Sequence, residues 1–243
     1  MQRKTVLVSL GLFLGTAACG PPVEPGGTPG ALKSGGFVYC RSAGSCDYRA
    51  KMPAQLAVGA TFGLEFDGEY SGSVRLSSPN GALESVANED PVWVFRGTRP
   101  GHATVEARDE ADDTLVDYVD LELAALSRIE PRECDRAFNA LHDSTDTFDP
   151  TTCRSSGAVS ALTLSRGAEL APTLCVFPVD GSGHDLGGTL DTPQWTVGPP
   201  AELELHVAAD GLCATIGGLT LGTASVTITS QGQQAALDVT VAP

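Results

Sequence analysis

Arg96-Gly97-Thr98-Arg99-Pro100-Gly101-His102-Ala103-Thr104-Val105-Glu106-Ala107 recurs further along the chain as Gly217-Gly218-Leu219-Thr220-Leu221-Gly222-Thr223-Ala224-Ser225-Val226-Thr227-Ile228, with Gly, Ala and Val in step. After the inner glycine of each copy, small or apolar residues alternate with polar ones, the period-two signature of a strand with one buried face. Each copy then closes on a second alternating run, Val119-Asp-Leu-Glu-Leu123 in the first and Leu237-Asp-Val-Thr-Val241 in the second. Upstream, Val58-Gly-Ala-Thr-Phe62 matches Arg166-Gly-Ala-Glu-Leu170, ahead of strands expected over Phe62 to Phe66 and Leu174 to Phe177, the latter ended by Pro178. One module is therefore present twice.

A strand, a tight Gly-Thr-Ala-like turn, a strand alternating Ala and Val, and a final alternating strand together resemble the bacterial Ig-like group 2 family. The resemblance covers Pro91 to Leu123 and Gly211 to Val241 best. It implies a seven-stranded sandwich, used in surface proteins for adhesion or as a spacer, without an active site. The expected fold class is all-β, with two tandem immunoglobulin-like β-sandwiches over 36–124 and 125–243. The second is longer by a polar insertion, 131–157, that lacks strand alternation and is bracketed by Cys134 and Cys153.

Bulk composition agrees with this division. A chain of 243 residues is long for one small sandwich and suits two. Its 42% hydrophobic content can fill two cores, while 28 Gly and 16 Pro demand many turns. The formal charge is −15, and loss of Arg3 and Lys4 with a signal peptide would take it to −17. No Lys or Arg follows Arg166. Such a surface repels phosphate backbones, so nucleic acid is not an expected partner.

The N-terminus reads as an export signal over 1–18. Met1-Gln-Arg-Lys4 is a short basic start, and Val6 to Leu14 is an apolar run too short to cross a bilayer. Gly15-Thr16-Ala17-Ala18-Cys19 resembles the lipobox of bacterial lipoproteins, with Thr16 where that motif most often has Leu. The resemblance implies that Cys19 is lipidated and becomes the new N-terminus. Residues 19–35, rich in Pro and Gly, would then form a flexible tether that holds the folded part off the membrane.

Seven cysteines are present, and taking Cys19 into a thioether leaves six, an even number suited to an oxidising compartment. The economical pairing is sequential: Cys40 with Cys46, Cys134 with Cys153, and Cys175 with Cys213. The first two would close loops just before the first strand of each domain. Cys175 and Cys213, both in β-rich apolar stretches, would face the core and link two strands of one sheet, because a separation of 38 is short for a bridge between sheets.

Catalytic motifs are missing from the sequence: no G-x-S-x-G elbow, phosphate-binding loop or H-E-x-x-H occurs. No cofactor or metal site is expected, since His102, His142, His184 and His206 are scattered singly and no C-x-x-C is present. Asp180-Gly-Ser-Gly-His-Asp185 places oxygen ligands in a Gly-rich turn but lacks the acid spacing of a calcium loop, and Asp109-Glu-Ala-Asp-Asp113 reads as a charged hairpin tip. The insertion carries Asp135, His142, Asp143, Ser144, Asp146 and Asp149, residue types that acid-base chemistry would need if they converged. Trp93 and Trp195 read as core anchors.

The leading expectation is a non-catalytic, lipid-anchored envelope protein, at the outer membrane on its periplasmic or surface face, whose modules bind a protein or glycan partner or act as a spacer. The alternative is an enzyme or enzyme inhibitor working through 131–157. The anchor has a direct check: Cys19→Ala should move the protein from the membrane pellet to the soluble fraction, and a variant as membrane-bound as the wild type would refute the lipobox reading.

Overall fold

The computed structural model describes residues 36–134 and 157–243, apart from 43–44, 51, 69, 71, 90, 168–171 and 201 and the side chains of 41–50 and 89. The signal, the tether, Cys19, Cys153 and the side chain of Cys46 thus lie outside the described residues. The fold is all-β. The first domain contains β1 (Phe37–Ser42), β2 (Ser45–Ala50), β3 (Leu56–Ala57), β4 (Thr61–Phe66), β5 (Val74–Ser77), β6 (Leu83–Glu89), β7 (Val92–Gly97), β8 (Gly101–Asp109) and β9 (Leu115–Ala124). The second contains β10 (Arg128–Cys134), β11 (Ala161–Ser165), β12 (Thr173–Val179), β13 (Gln194–Gly198), β14 (Leu203–Val207), β15 (Cys213–Gly218), β16 (Gly222–Ser230) and β17 (Gln233–Ala242).

These strands make four sheets, two per domain: β2-β1-β4-β7-β6 with β3-β9-β8-β5, then β10-β12-β15-β14 with β11-β17-β16-β13. Apart from β2, the orders are the same. Both follow the ABED and CFG arrangement of an immunoglobulin-type sandwich, with the first strand split so that a second piece joins the opposite sheet in parallel. The split raises the count above the expected seven. Alternation assigns the cores: Phe62, Leu64, Phe95, Val105 and Leu121 fill the first, and Leu174, Val176, Ile216, Val226 and Val239 the second.

Strand register ties the two halves residue to residue. Gly101 pairs with Leu123 and Ala103 with Leu121, as Gly222 pairs with Val241 and Ala224 with Val239. The Gly59 N–H donates to the Gly97 carbonyl at 2.8 Å, and the Gly167 N–H to the Gly218 carbonyl at 3.2 Å. Close approach favours glycine at both turns: a Cβ on Gly97 would stand 3.2 Å from the Ala57 carbonyl oxygen, and one on Gly218 would stand 2.6 Å from Val241 Cγ1. The same register places Cys40 opposite Gly63 and Cys134 opposite Thr173, at matching positions of β1 and β10.

That placement corrects the expected position of the first two cysteine loops. Cys40 and Cys134 are both disulfide-bonded and lie within the first strand, not ahead of it. In the first domain the residues after Cys40 complete β1 and add β2 to the same sheet, whereas in the second Cys134 is the last residue of β10. The insertion also begins later than 131, because Pro131-Arg-Glu-Cys134 completes β10. Pro131 is tolerated there because β10 is an edge strand. Nor does Pro178 end its strand: β12 runs to Val179. Only Thr173–Cys175 pair with β15, so at Pro178 the strand has a ladder partner on one side alone.

Cys175 and Cys213 are bonded, with Cα atoms 4.1 Å apart on neighbouring strands of one sheet. Their orientation differs from expectation. Leu174, Val176, Ala214 and Ile216 take the inward positions, so the bridge lies on the outer face in a small cluster with Cys134, Ala208, Leu212 and Phe177. It is nevertheless fully buried. Closing a loop of this length should contribute about 4 kcal/mol in the chain-entropy model. Replacing both Cys175 and Cys213 by Ala should therefore lower the denaturant midpoint of unfolding, and by more than Cys40→Ala with Cys46→Ala does. Equal losses in the two variants would refute that ranking.

Candidate functional site

The residues singled out for chemistry do not converge among the described residues, where no group of three or more His, Cys, Asp or Glu could hold a metal ion. The insertion's Asp135, His142, Asp143, Ser144, Asp146 and Asp149 lie outside the described residues. Asp109 is engaged in its own hairpin: it accepts from the Tyr70 hydroxyl and from the Ala111 N–H. The first of these bonds does most to hold its carboxyl below the usual range and to push Tyr70 up to about 12. Trp93 and Trp195 are half-buried against their cores, and Trp195 Nε1 donates to the Gly211 carbonyl at 2.8 Å.

What the structure does assemble is a junction. The loop between β12 and β13 begins with Asp180, whose Oδ1 accepts the N–H groups of Ser182 and His184 at 2.8 Å each. The His184 N–H is the main cause of a lowered Asp180 pKa; burial opposes it and the Ser182 N–H adds to it. Asp180 thus shapes its own turn. Asp185 is gripped by Arg132 through a two-pronged contact, Nη1 to Oδ2 at 2.9 Å and Nη2 to Oδ1 at 2.6 Å. Arg132 also donates to Glu130 at 2.9 Å and lies over the Phe177 ring, 4.8 Å from its centroid. Burial works to lower the pKa of Arg132, but the bonds to Asp185 and Glu130 outweigh it and keep the guanidinium charged. Burial likewise opposes ionisation of Glu130, and bonds from Arg132 and Arg128 outweigh it.

Held in this way, the loop presents Gly187-Gly188-Thr189 to residues 55–61 of the first domain. Gly187 donates to the Gln55 carbonyl at 2.8 Å and accepts from the Ala57 N–H at 3.0 Å. Thr61 and Thr189 exchange both backbone hydrogen bonds, at 2.9 and 2.7 Å. The buried Tyr39 hydroxyl accepts the Gly188 N–H at 2.9 Å, and Gln231 Nε2 donates to the Gly59 carbonyl at 3.1 Å. Ala57 and Ala60 of the first domain are packed into the hydrophobic cluster of the second. The linker is only 125–127, fixed at its ends by Val58 N–H to the Ala124 carbonyl and Ser127 N–H to the Val179 carbonyl, both 2.9 Å.

Sequence reasoning missed this junction, since Gly187-Gly188 reads as an ordinary loop. The doublet was the available signal. A Cβ on Gly187 would stand 2.3 Å from Pro53 Cγ, which only a closely approaching neighbour can cause.

No protein-family model and no curated protein sequence matches the chain. Among solved structures it is similar to invasin, a bacterial integrin-binding protein, at 16% identity over 86% of this chain and 40% of that one, with a TM-score of 0.33. It is also similar to domains 4 and 5 of the S-layer protein SbsC, at 14% identity over 85% of this chain and 98% of that one, with a TM-score of 0.31. InvD of Yersinia pseudotuberculosis gives 17% identity over 79% of this chain and 56% of that one, also at 0.31. The chain thus spans less than half the length of the invasin chain.

Each backbone hydrogen bond across the junction should contribute about 1 kcal/mol net, and together they couple the domains. Gly187→Val should uncouple them, because a Cβ there would stand 2.3 Å from Pro53 Cγ and 3.1 Å from Leu56 Cδ2, both of the first domain. Calorimetry is expected to give one transition for the wild type and two for the variant. A single unshifted transition in the variant would count against the coupling.

Proposed function

We propose that this chain is a non-catalytic, lipid-anchored envelope protein whose two sandwiches form a stiff arm carrying a binding surface away from the membrane. The observation that carries the reading is the junction. A three-residue linker alone would let two domains swivel, and here backbone pairs on several sides of it oppose that freedom. The lipobox-like Cys19 and the Pro/Gly tether add an address and a flexible base. Rigidity in the arm and flexibility at its root suit a protein that reaches a partner at a set distance from the bilayer.

The test is the motion of the two domains in solution. Backbone NMR relaxation on the full-length chain should fit a single tumbling tensor for 36–124 and 125–243. Independent tensors in the wild type would overturn the stiff-arm reading.

A further inference from the structure

The two sandwiches differ in how their apolar side chains are covered where the third and fourth core strands meet. In the second domain β13 and β14 each end a sheet, and residues 199–202 carry the chain from one to the other, so both open edges lie on one flank. Between them runs an incompletely covered apolar strip. Trp195, Val197, Leu203 and Leu205 are only half-buried, and Val207 is 38% exposed. In the first domain the register counterparts of Trp195 and Leu203 are Leu76 and Leu83, which are 3% and 6% exposed. The opening is therefore a property of this flank and not of the fold.

Edge strands in soluble sheets normally carry a charge, a bulge or a proline that discourages further pairing. β5 carries Arg75, β6 carries Glu84 and a bulge, β10 carries Arg128, Pro131 and Arg132, and β14 carries Glu204. β13, Gln194-Trp-Thr-Val-Gly198, has none of these. β11 is uncharged too, but it buries Leu164 and is followed by Arg166. Pro193 and Pro199 bound β13 and limit any added strand to about five residues.

Charge is segregated around it. The described basic side chains of the second domain, Arg128, Arg132 and Arg166, lie on β10 or just after β11, at the opposite edges of the two sheets. Asp191, Glu202, Glu204 and Asp210 lie in or beside β13 and β14, together with His206, which pairs with Glu204 at 3.0 Å. This flank offers unpaired backbone, apolar surface and negative charge together.

We propose that the β13 edge of this flank docks an extended segment of a partner protein in which apolar residues alternate with Lys or Arg. The segment adds as a strand beside β13. Its apolar side chains cover Trp195, Val197 and Leu205, its backbone pairs with the open edge, and the net negative charge of the flank attracts its cations. An acidic partner, a second copy of this chain included, is disfavoured by the same charges. The site rests on the arm reading above and names the chemistry of what the arm would hold.

The experiment titrates the full-length chain with a capped peptide of about seven alternating lysine and valine residues, by calorimetry and amide hydrogen exchange. Expected are saturable binding, slowed exchange in β13 and a change in Trp195 fluorescence. The exposed Thr196→Lys change should weaken binding by about tenfold without altering the fold, as circular dichroism would verify. A glutamate-valine peptide, and a lysine-valine peptide with alternate backbone nitrogens methylated, should each fail to saturate. Equal binding of either control, protection away from β13, no saturable binding of the lysine peptide, or an unaffected Thr196→Lys variant would each overturn the proposal. Domain tumbling does not depend on Thr196, so the arm and the docking edge fail separately.

Discussion

The reciprocal hydrogen bonds between the backbones of Thr61 and Thr189 are the contact on which the arrangement of the two domains turns. They are main-chain bonds, so they fix direction as well as distance. They form only because Gly187 and Gly188 let one backbone lie against another. The loop that bears these glycines is itself held by Asp180 within its turn and by the Arg132 grip on Asp185. A polar cluster on the outer face of one sheet thus determines how two apolar cores are aligned. Partly buried ionic contacts of this kind add little net stability, and their contribution here is geometric.

Much of the fold was legible because its signals are local. Alternation in Ala103-Thr-Val105 and Ala224-Ser-Val226 fixes which residues face inward, and the paired glycines ahead of them mark the same turn in both domains. The bond between Cys175 and Cys213 followed from their modest separation. Its orientation was misread because an apolar neighbourhood does not say which face a residue takes; counting alternation from Leu174 and Val176 would have turned Cys175 outward. A strand end at Pro178 and an insertion start at 131 do not hold, because Pro178 has a ladder partner on one side alone and β10 is an edge strand that runs on to Cys134. The junction and the open flank were not legible. Both depend on how separate pieces of chain sit in space, and no periodicity records that.

The corresponding outer faces of the two domains stay soluble by different means. Around β8 the first domain uses contacts to carboxylates, His102 with Glu122 at 2.8 Å and Thr104 with Asp120 at 2.7 Å. Around β16 the second uses Thr223, Ser225, Thr227 and Thr229, and Asp238 is the one charged residue in its four-stranded sheet β11-β17-β16-β13. Hydroxyl groups hydrate a surface without creating a field of either sign. Charge in the second domain is therefore concentrated away from this face, which sharpens the contrast between its two flanks.

The matching positions of Cys40 and Cys134 have a consequence for engineering. Each precedes the segment that leads to the opposite sheet, and these segments differ in length, 43–55 in one domain, which includes β2, and 135–160 in the other. The strands on either side keep the same register in both domains although the segment between them differs, so this part of the fold tolerates added chain. A foreign peptide epitope inserted after Ser42, between β1 and β2, or after Cys134 would be displayed without altering the pairing of the described strands, with the position on the arm set by the choice of domain.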